Sequence, residues 1–248
     1  MYKLGICTRF RDAMSWKGHL INHVHRYFAQ VYAQKLFKRE DVGIFCLEGN
    51  SADDTYERLV ERDEQNVNVH LYKEEDLVDA EKIPATGSTT DTTRLAYMGK
   101  LGAALLNEAR TKCESVIWIE SDLIITDTFL FSKLVKLAEE LESVVAPWIW
   151  INYNNSYIFY DIWAFRELGT DIHWHFRTPK LDIRNIEMNS IGSCCAIPRC
   201  VLDSTANFGP NEFIDFCKSV RECGFRVQVA PRLEIEHPGD SYIDKRWI

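Results

Sequence analysis

Short apolar runs of strand length alternate along the chain with longer segments whose apolar residues recur every three or four positions. Residues 3–8 form the first run. Leu20, Val24, Tyr27, Phe28, Val31 and Leu36 then give helical spacing over residues 16–37. Val42-Gly43-Ile44-Phe45-Cys46-Leu47 reads as a second strand. A helix over residues 54–65 follows, with Asp53 or Asp54 as its N-cap. Residues 67–72 alternate apolar and polar like a strand, and residues 84–93, rich in Thr with Pro and Gly, read as a loop. The pattern then predicts a helix over 92–110, a strand over 116–119, a helix over 128–142, and a helix from Glu212 to Arg221 or Cys223. Strands alternating with helices imply an α/β fold: a mostly parallel, mixed sheet covered by helices on both faces. No repeat, low-complexity tract or linker interrupts it. A single domain over 1–248 is expected, with 1–127 as the ligand-binding half and 128–248 as the half completing the site.

Composition narrows this picture. A chain of 248 residues, 46% hydrophobic and 27% charged, can bury a sizeable core. Its net charge of -8 argues against a broad basic nucleic-acid footprint. No run approaches the ~20 apolar residues needed to span a bilayer, and the apolar stretch after Met1 is too short for a signal peptide. The eight cysteines include no Cys-x-x-Cys pair and mostly sit in apolar runs, where free thiols behave as small hydrophobes. A reduced, cytoplasmic setting is expected, in a bacterium or a virus-infected cell, without stable membrane insertion.

One segment changes the picture most. The apolar run Ser115–Ile119 ends on Glu120-Ser121-Asp122, and Leu123-Ile124-Ile125 follows at once. In open α/β sheets ligands collect at the carboxyl ends of the strands. On an extended backbone Glu120 and Asp122 face the same side. Two carboxylates at a buried strand end raise each other's pKa, and a hard divalent cation shared with phosphate oxygens relieves that conflict. The competing reading is a solvated turn.

Further segments carry a resemblance. Glu120-Ser121-Asp122 resembles the DxD motif of GT-A glycosyltransferases. Glu48-Gly49-Asn50-Ser51-Ala52-Asp53-Asp54-Thr55 looks like their acidic turn that contacts the nucleoside. Leu233-Glu234-Ile235-Glu236-His237-Pro238 resembles the late strand ending in a metal-binding His. Tyr160-Asp161-Ile162-Trp163-Ala164-Phe165-Arg166 and the stretch from Asn211-Glu212-Phe213 to Gly224-Phe225 are most similar to fungal capsule-associated mannosyltransferases. The set spans nearly the whole chain in order. It departs from the pattern in having Glu120 as first acid, and Phe213 after Glu212 where many inverting members carry a second acid.

The resemblance implies transfer of a hexose from a UDP- or GDP-sugar to a hydroxyl, with a divalent cation, Mn²⁺ rather than Mg²⁺. The residue chemistry agrees. A departing diphosphate gains charge, and a cation acting as Lewis acid and template stabilises it. Asp122 and His237 are the candidate ligands; Glu120 meets the ribose, metal-bound water or the metal itself, with Ser121 beside it. Imidazole with oxygen donors suits Mn²⁺ better than Ca²⁺. Arg94 and Lys100, near a helix start, are placed to meet phosphate oxygens or else form a solvated face. Arg9 and Arg11 follow the first strand, Thr8 matches a nucleotide-contacting position, and Glu48 is placed for base or ribose.

Residues 148–176 hold ten of the thirty aromatics, most expected in the core and the rest in an acceptor cleft formed by Trp150, Tyr160 and Trp163. Glu212 is the candidate catalytic carboxylate, with Asp215 and Asp161 as alternatives; Asp215 equally suits a helix N-terminus for its dipole. The acceptor is expected to be a glycan or small molecule. Alternatives are a hydroxymethylated base in viral DNA, or a non-catalytic module binding sugar nucleotides or glycans.

Overall fold

The computed structural model describes residues 1–16, 19–20, 22–35, 37–78, 91–153, 156–160, 164–170 and 185–238. In chain order the elements are β1 (Tyr2–Phe10), β2 (Ser15–Trp16), β3 (His19–Leu20), α1 (His23–Tyr32), β4 (Val42–Glu48), α2 (Thr55–Gln65), β5 (Val69–Lys73), α3 (Glu74–Leu77) and α4 (Thr92–Arg110). There follow β6 (Cys113–Ile119), α5 (Leu130–Leu141), β7 (Ser143–Tyr153), β8 (Ser156–Phe159), β9 (Arg166–Glu167) and β10 (Ile186–Ser190). The last are β11 (Cys194–Ile197), α6 (Arg199–Leu202), α7 (Phe213–Glu222) and β12 (Arg226–His237).

Among the described residues these strands form a ten-stranded sheet in the order β5-β4-β1-β6-β11-β7-β12-β10-β9, with β8 paired to β7. The pairings β5/β4, β4/β1, β1/β6 and β7/β12 are parallel. β11 lies antiparallel between β6 and β7, so β7 and β12 point the same way as β6. The carboxyl ends of β5, β4, β1, β6, β7 and β12 therefore share one edge of the sheet. The expected mixed, largely parallel α/β architecture is what forms, because Val116–Ile119 and Ile44–Leu47 are apolar on both faces and need cover on both.

Local chemistry sets the helix starts. Asn22 caps α1 by accepting from His25 N at 2.8 Å. Asp91 accepts from Thr93 N and Arg94 N at 2.8 and 3.1 Å, so α4 begins at Thr92, inside the stretch read as a loop. Residues 84–90 lie outside the described residues. The helix read over 16–37 is shorter than expected: β2 and β3 form a hairpin, and α1 spans only His23–Tyr32. Leu20 lies in β3 and not in a helix, and Leu36 lies outside the described residues.

Packing of α4 fixes the far half of the edge. A Cβ on Gly99 would lie 1.9 Å from the Gly209 carbonyl oxygen, and one on Gly102 3.1 Å from the Phe208 ring. The two glycines let the 206–212 segment lie against the helix. Phe208 in turn sits 4.6 Å from the Trp118 ring and stacks at 4.8 Å on Phe216 of α7.

Candidate active site

The shared strand edge holds a cavity of about 310 Å³. Its walls come from the ends of β1 (Arg9 to Ala13), β4 (Leu47 and Gly49) and β6 (Glu120, Ser121, Asp122), with His23, Glu74 and the face of α4 bearing Arg94, Tyr97, Met98 and Leu101. Arg9, Arg11, Arg94, Glu120, Ser121 and Asp122, expected from sequence, thus meet at one cavity. Lys100 does not: at 100° per residue it lies about 200° round α4 from Met98, and it is exposed.

The acid triplet is not extended as expected. Leu123 N donates to Glu120 O at 3.3 Å, making a turn that carries Asp122 beneath the cavity rim. Arg26, buried in α1, fixes this turn by donating to the Asp122 carbonyl at 2.7 Å. The apolar run after it is no strand. Only Ile124 pairs, with Glu236 near the end of β12, through backbone bonds of 2.7 and 3.1 Å. That bridge brings two distant segments together. Asp122 Oδ2 lies 3.3 Å from His237 Nε2, and Tyr160 stacks on the His237 ring at 3.7 Å with planes 16° apart.

The electrostatics of this pair follow from its neighbours. Burial by itself would raise the Asp122 carboxyl, but His237, His23 and Arg26 outweigh it and hold the group below the usual carboxylate range. His23 is pushed down to about 4, first by burial and then by Arg26. Asp122 Oδ1 is buried with no hydrogen-bond partner among the described residues. No group of three or more His, Cys, Asp or Glu side chains suited to a metal converges among them. A carboxylate and an imidazole 3.3 Å apart suit neighbouring positions on a divalent cation, the rest left to ligand oxygens and water. The donor set therefore fits such a cation when a phosphate supplies further oxygens.

Glu212 comes to the cavity through Arg9. The two form an ion pair with each side chain 13% exposed. Arg9 also donates to the Met98 carbonyl at 3.2 Å, its guanidinium 5.4 Å from the Trp118 ring centroid. Glu212 is the N-cap of α7 with φ +54°, a conformation held by Glu212 N donating to Gly209 O at 2.9 Å. Asp215 closes the same turn: its Oδ2 accepts from Asn211 N at 2.8 Å.

Glu48 is buried and accepts from Ser51 N at 2.6 Å, bracing the turn after β4. Thr8 is fully buried in β1. Neither lines the cavity. Trp150 borders a separate depression with Thr126, Glu234 and Glu236. Tyr160 backs His237, and Asp161 and Trp163 lie outside the described residues.

Sequence reasoning passed over His23, Arg26, Glu74 and Tyr97. Tyr97 was within reach, because it shares the i, i+3, i+4, i+7 face of α4 with Arg94, Met98 and Leu101. Arg26 and His23 carried no signal; both look like the solvated positions of an amphipathic helix.

No protein-family model and no curated protein sequence matches the chain. Solved structures do. S. aureus TarS 1–349 superposes with a TM-score of 0.57 at 13% identity, covering 95% of this chain and 60% of that one. The mannosyltransferase PcManGT from Pyrobaculum calidifontis, in complex with GDP-Man and Mn²⁺, gives 0.55 at 12% identity over 99% of this chain and 58% of its own. GalNAc-T7 with UDP, GalNAc and Mn²⁺ gives 0.59 at 14% identity over 96% and 43%. The chain thus spans less than two thirds of each of these structures. At such identities the likeness is one of fold, and that fold is GT-A.

Proposed function

We propose that the protein transfers a hexose from a nucleotide-diphosphate sugar to a hydroxyl acceptor, with a divalent cation bound by Asp122 and His237. One observation carries this reading: Asp122, 3.3 Å from His237, lines a cavity that also presents Arg9, Arg11 and Arg94. Carboxylate and imidazole beside arginines suit a cation and the diphosphate it bridges. When bound, the cation neutralises charge that builds on the departing diphosphate.

The chain's own groups do the rest. Arg9, Arg11 and Arg94 hold phosphate oxygens, and Glu120 and Ser121 at the β6 turn meet the ribose or the cation's water. His237 is kept in register by Tyr160 stacked on its ring. Glu212, tethered to Arg9, is the carboxylate proposed nearest the chemistry, ahead of Asp215, whose oxygens serve its own turn. Both halves of the chain act as one unit because a single sheet runs from β5 to β9. The similarity of 160–166 and 211–225 to capsule-associated mannosyltransferases favours mannose, and Mn²⁺ over Mg²⁺ accords with the imidazole ligand. A glycan or small-molecule acceptor is favoured over DNA by the net charge of -8, since duplex binding rests on phosphate contacts. Eight free thiols, six of them buried, accord with a cytosolic setting.

The test is release of nucleoside diphosphate from a panel of UDP- and GDP-sugars, with and without Mn²⁺ and candidate acceptors. Cation-dependent release by the wild type and none by Asp122→Ala and His237→Ala is expected. Binding of a nucleotide sugar without any turnover would favour the non-catalytic module instead.

A further inference from the structure

A further cavity, of about 260 Å³, lies towards the amino ends of the strands, away from the edge that holds the site. Ile6, Ile44 and Val69 are register partners on β1, β4 and β5, and Leu4 shares their face two residues before Ile6. Val31 of α1 and Phe131 of α5 complete the apolar wall. All six residues are at most 5% exposed. Ile6 precedes Arg9, where β1 enters the strand-edge cavity, by three positions, about 10 Å along the strand. Protein interiors leave few voids larger than a water. A void with such an apolar lining stays dry and takes apolar guests, and one of about 150 Å³ already admits benzene. This cavity has room for a larger body.

Its rim is cationic. Arg39 stands in the 3₁₀ turn Arg39–Asp41 before β4 and lines the cavity. Asn68 Nδ2 donates to Arg39 O at 2.8 Å and so fixes that turn. The guanidinium lies over the Tyr32 ring, 4.7 Å from its centroid, and makes no ion pair or hydrogen bond among the described residues. Asp41 of the same turn is paired with Lys3 instead. Burial raises the Tyr32 hydroxyl while Arg39 and Arg62 pull the other way, so two guanidinium groups act on this rim. We infer that the cavity binds an amphipathic carboxylate, its apolar body against Ile6, Ile44, Val69 and Phe131 and its head on Arg39. Each methylene removed from water favours the bound state, and the planar donor fork of arginine matches a carboxylate. A cationic head of the same length would meet Arg39 and Arg62 unfavourably. This site stands apart from the glycosyl-transfer reading and does not depend on it.

The experiment is isothermal titration of decanoate and of decylammonium, each below its micellar concentration, into the full chain at neutral pH. Decanoate is expected to bind one per chain and at least about tenfold more tightly than decylammonium, the scale of a hydrogen bond to a charged group. Arg39→Gln, an exposed substitution that leaves the wall intact, should bring the two affinities together by weakening decanoate. Val42→Phe narrows the cavity from a half-buried position and should weaken decanoate at least about tenfold, with a thermal midpoint confirming that the variant is folded. If it does not fold, Arg39→Gln decides alone. No binding of decanoate to the wild type overturns the inference, as does equal binding of the two amphiphiles. Wild-type affinity for decanoate in Arg39→Gln, or in folded Val42→Phe, places the ligand elsewhere and overturns it too. None of these results bears on sugar transfer.

Discussion

Two side chains at the rim show how much depends on what stands behind a ligand. Tyr160 lies flat on His237 at 3.7 Å, filling the space the imidazole would otherwise turn into. Tyr160→Ala should therefore weaken Mn²⁺ affinity by about 10–100-fold, the scale for partners that orient a ligand, while Tyr160→Phe stays near wild type. A metal titration checks both, and equal loss in the two variants would point to the hydroxyl rather than the stack. Glu212 makes a different case. Glu212→Gln is expected to lower kcat at least about a hundredfold, as for loss of acid-base or charge-stabilising catalysis. A raised donor KM with kcat intact would instead assign Glu212 to holding Arg9 alone. At this scale the sequence named Asp122, His237, Arg9 and Glu212, because acids and bases at strand ends and helix starts are visible. It could not show that Glu48 and Asp215 spend their oxygens on their own turns, which depends on backbone conformation no composition reveals.

Among the helices, α4 and α1 contribute most to the site. Gly99 permits α4 to touch the Gly209 carbonyl, and an added Cβ would sit 1.9 Å from that oxygen. Gly99→Ala should destabilise the fold by about 1–3 kcal/mol or more, as forced overpacking does, and displace the 209–212 turn bearing Glu212. Chemical denaturation measures the first effect; a wild-type midpoint would contradict it. Helix α1 carries a pH signature through His23, whose folded pKa of about 4 lies below its ordinary value of 6.5. The unfolded chain then binds more protons than the folded one, so stability rises with pH across that window and falls as pH drops from 6.5 towards 4. At pH 5 the loss is about 2 kcal/mol. His23→Asn should flatten this part of the stability–pH curve; an unchanged slope would assign it elsewhere. The limits of α4 and α7 were legible to within a residue, since Asp91 and the apolar faces announce them. The start of α1 was not: the hairpin before it interrupts a spacing that sequence alone reads as continuous helix.

At the scale of the molecule, the sheet does the assembling. β11 runs antiparallel between β6 and β7, restoring the direction of β7 and β12 and so putting the ends of β6 and β12 on one edge. The Ile124–Glu236 bridge then closes the distance between Asp122 and His237. The α/β class and the largely parallel sheet were readable from alternating apolar runs, but this long-range pairing was not, because neither segment's own pattern encodes it. On the proposed reading the pairing makes a two-ligand cation site dependent on a diphosphate, and that dependence is measurable. Isothermal titration of UDP and GDP into wild type, Asp122→Ala and His237→Ala, each with Mn²⁺ and with a chelator, tests it directly. The wild type should bind its nucleotide at least about tenfold more tightly with Mn²⁺, and both variants should lose that gain while keeping their folds. An equal Mn²⁺ gain in all three proteins, or none in the wild type, would contradict the account.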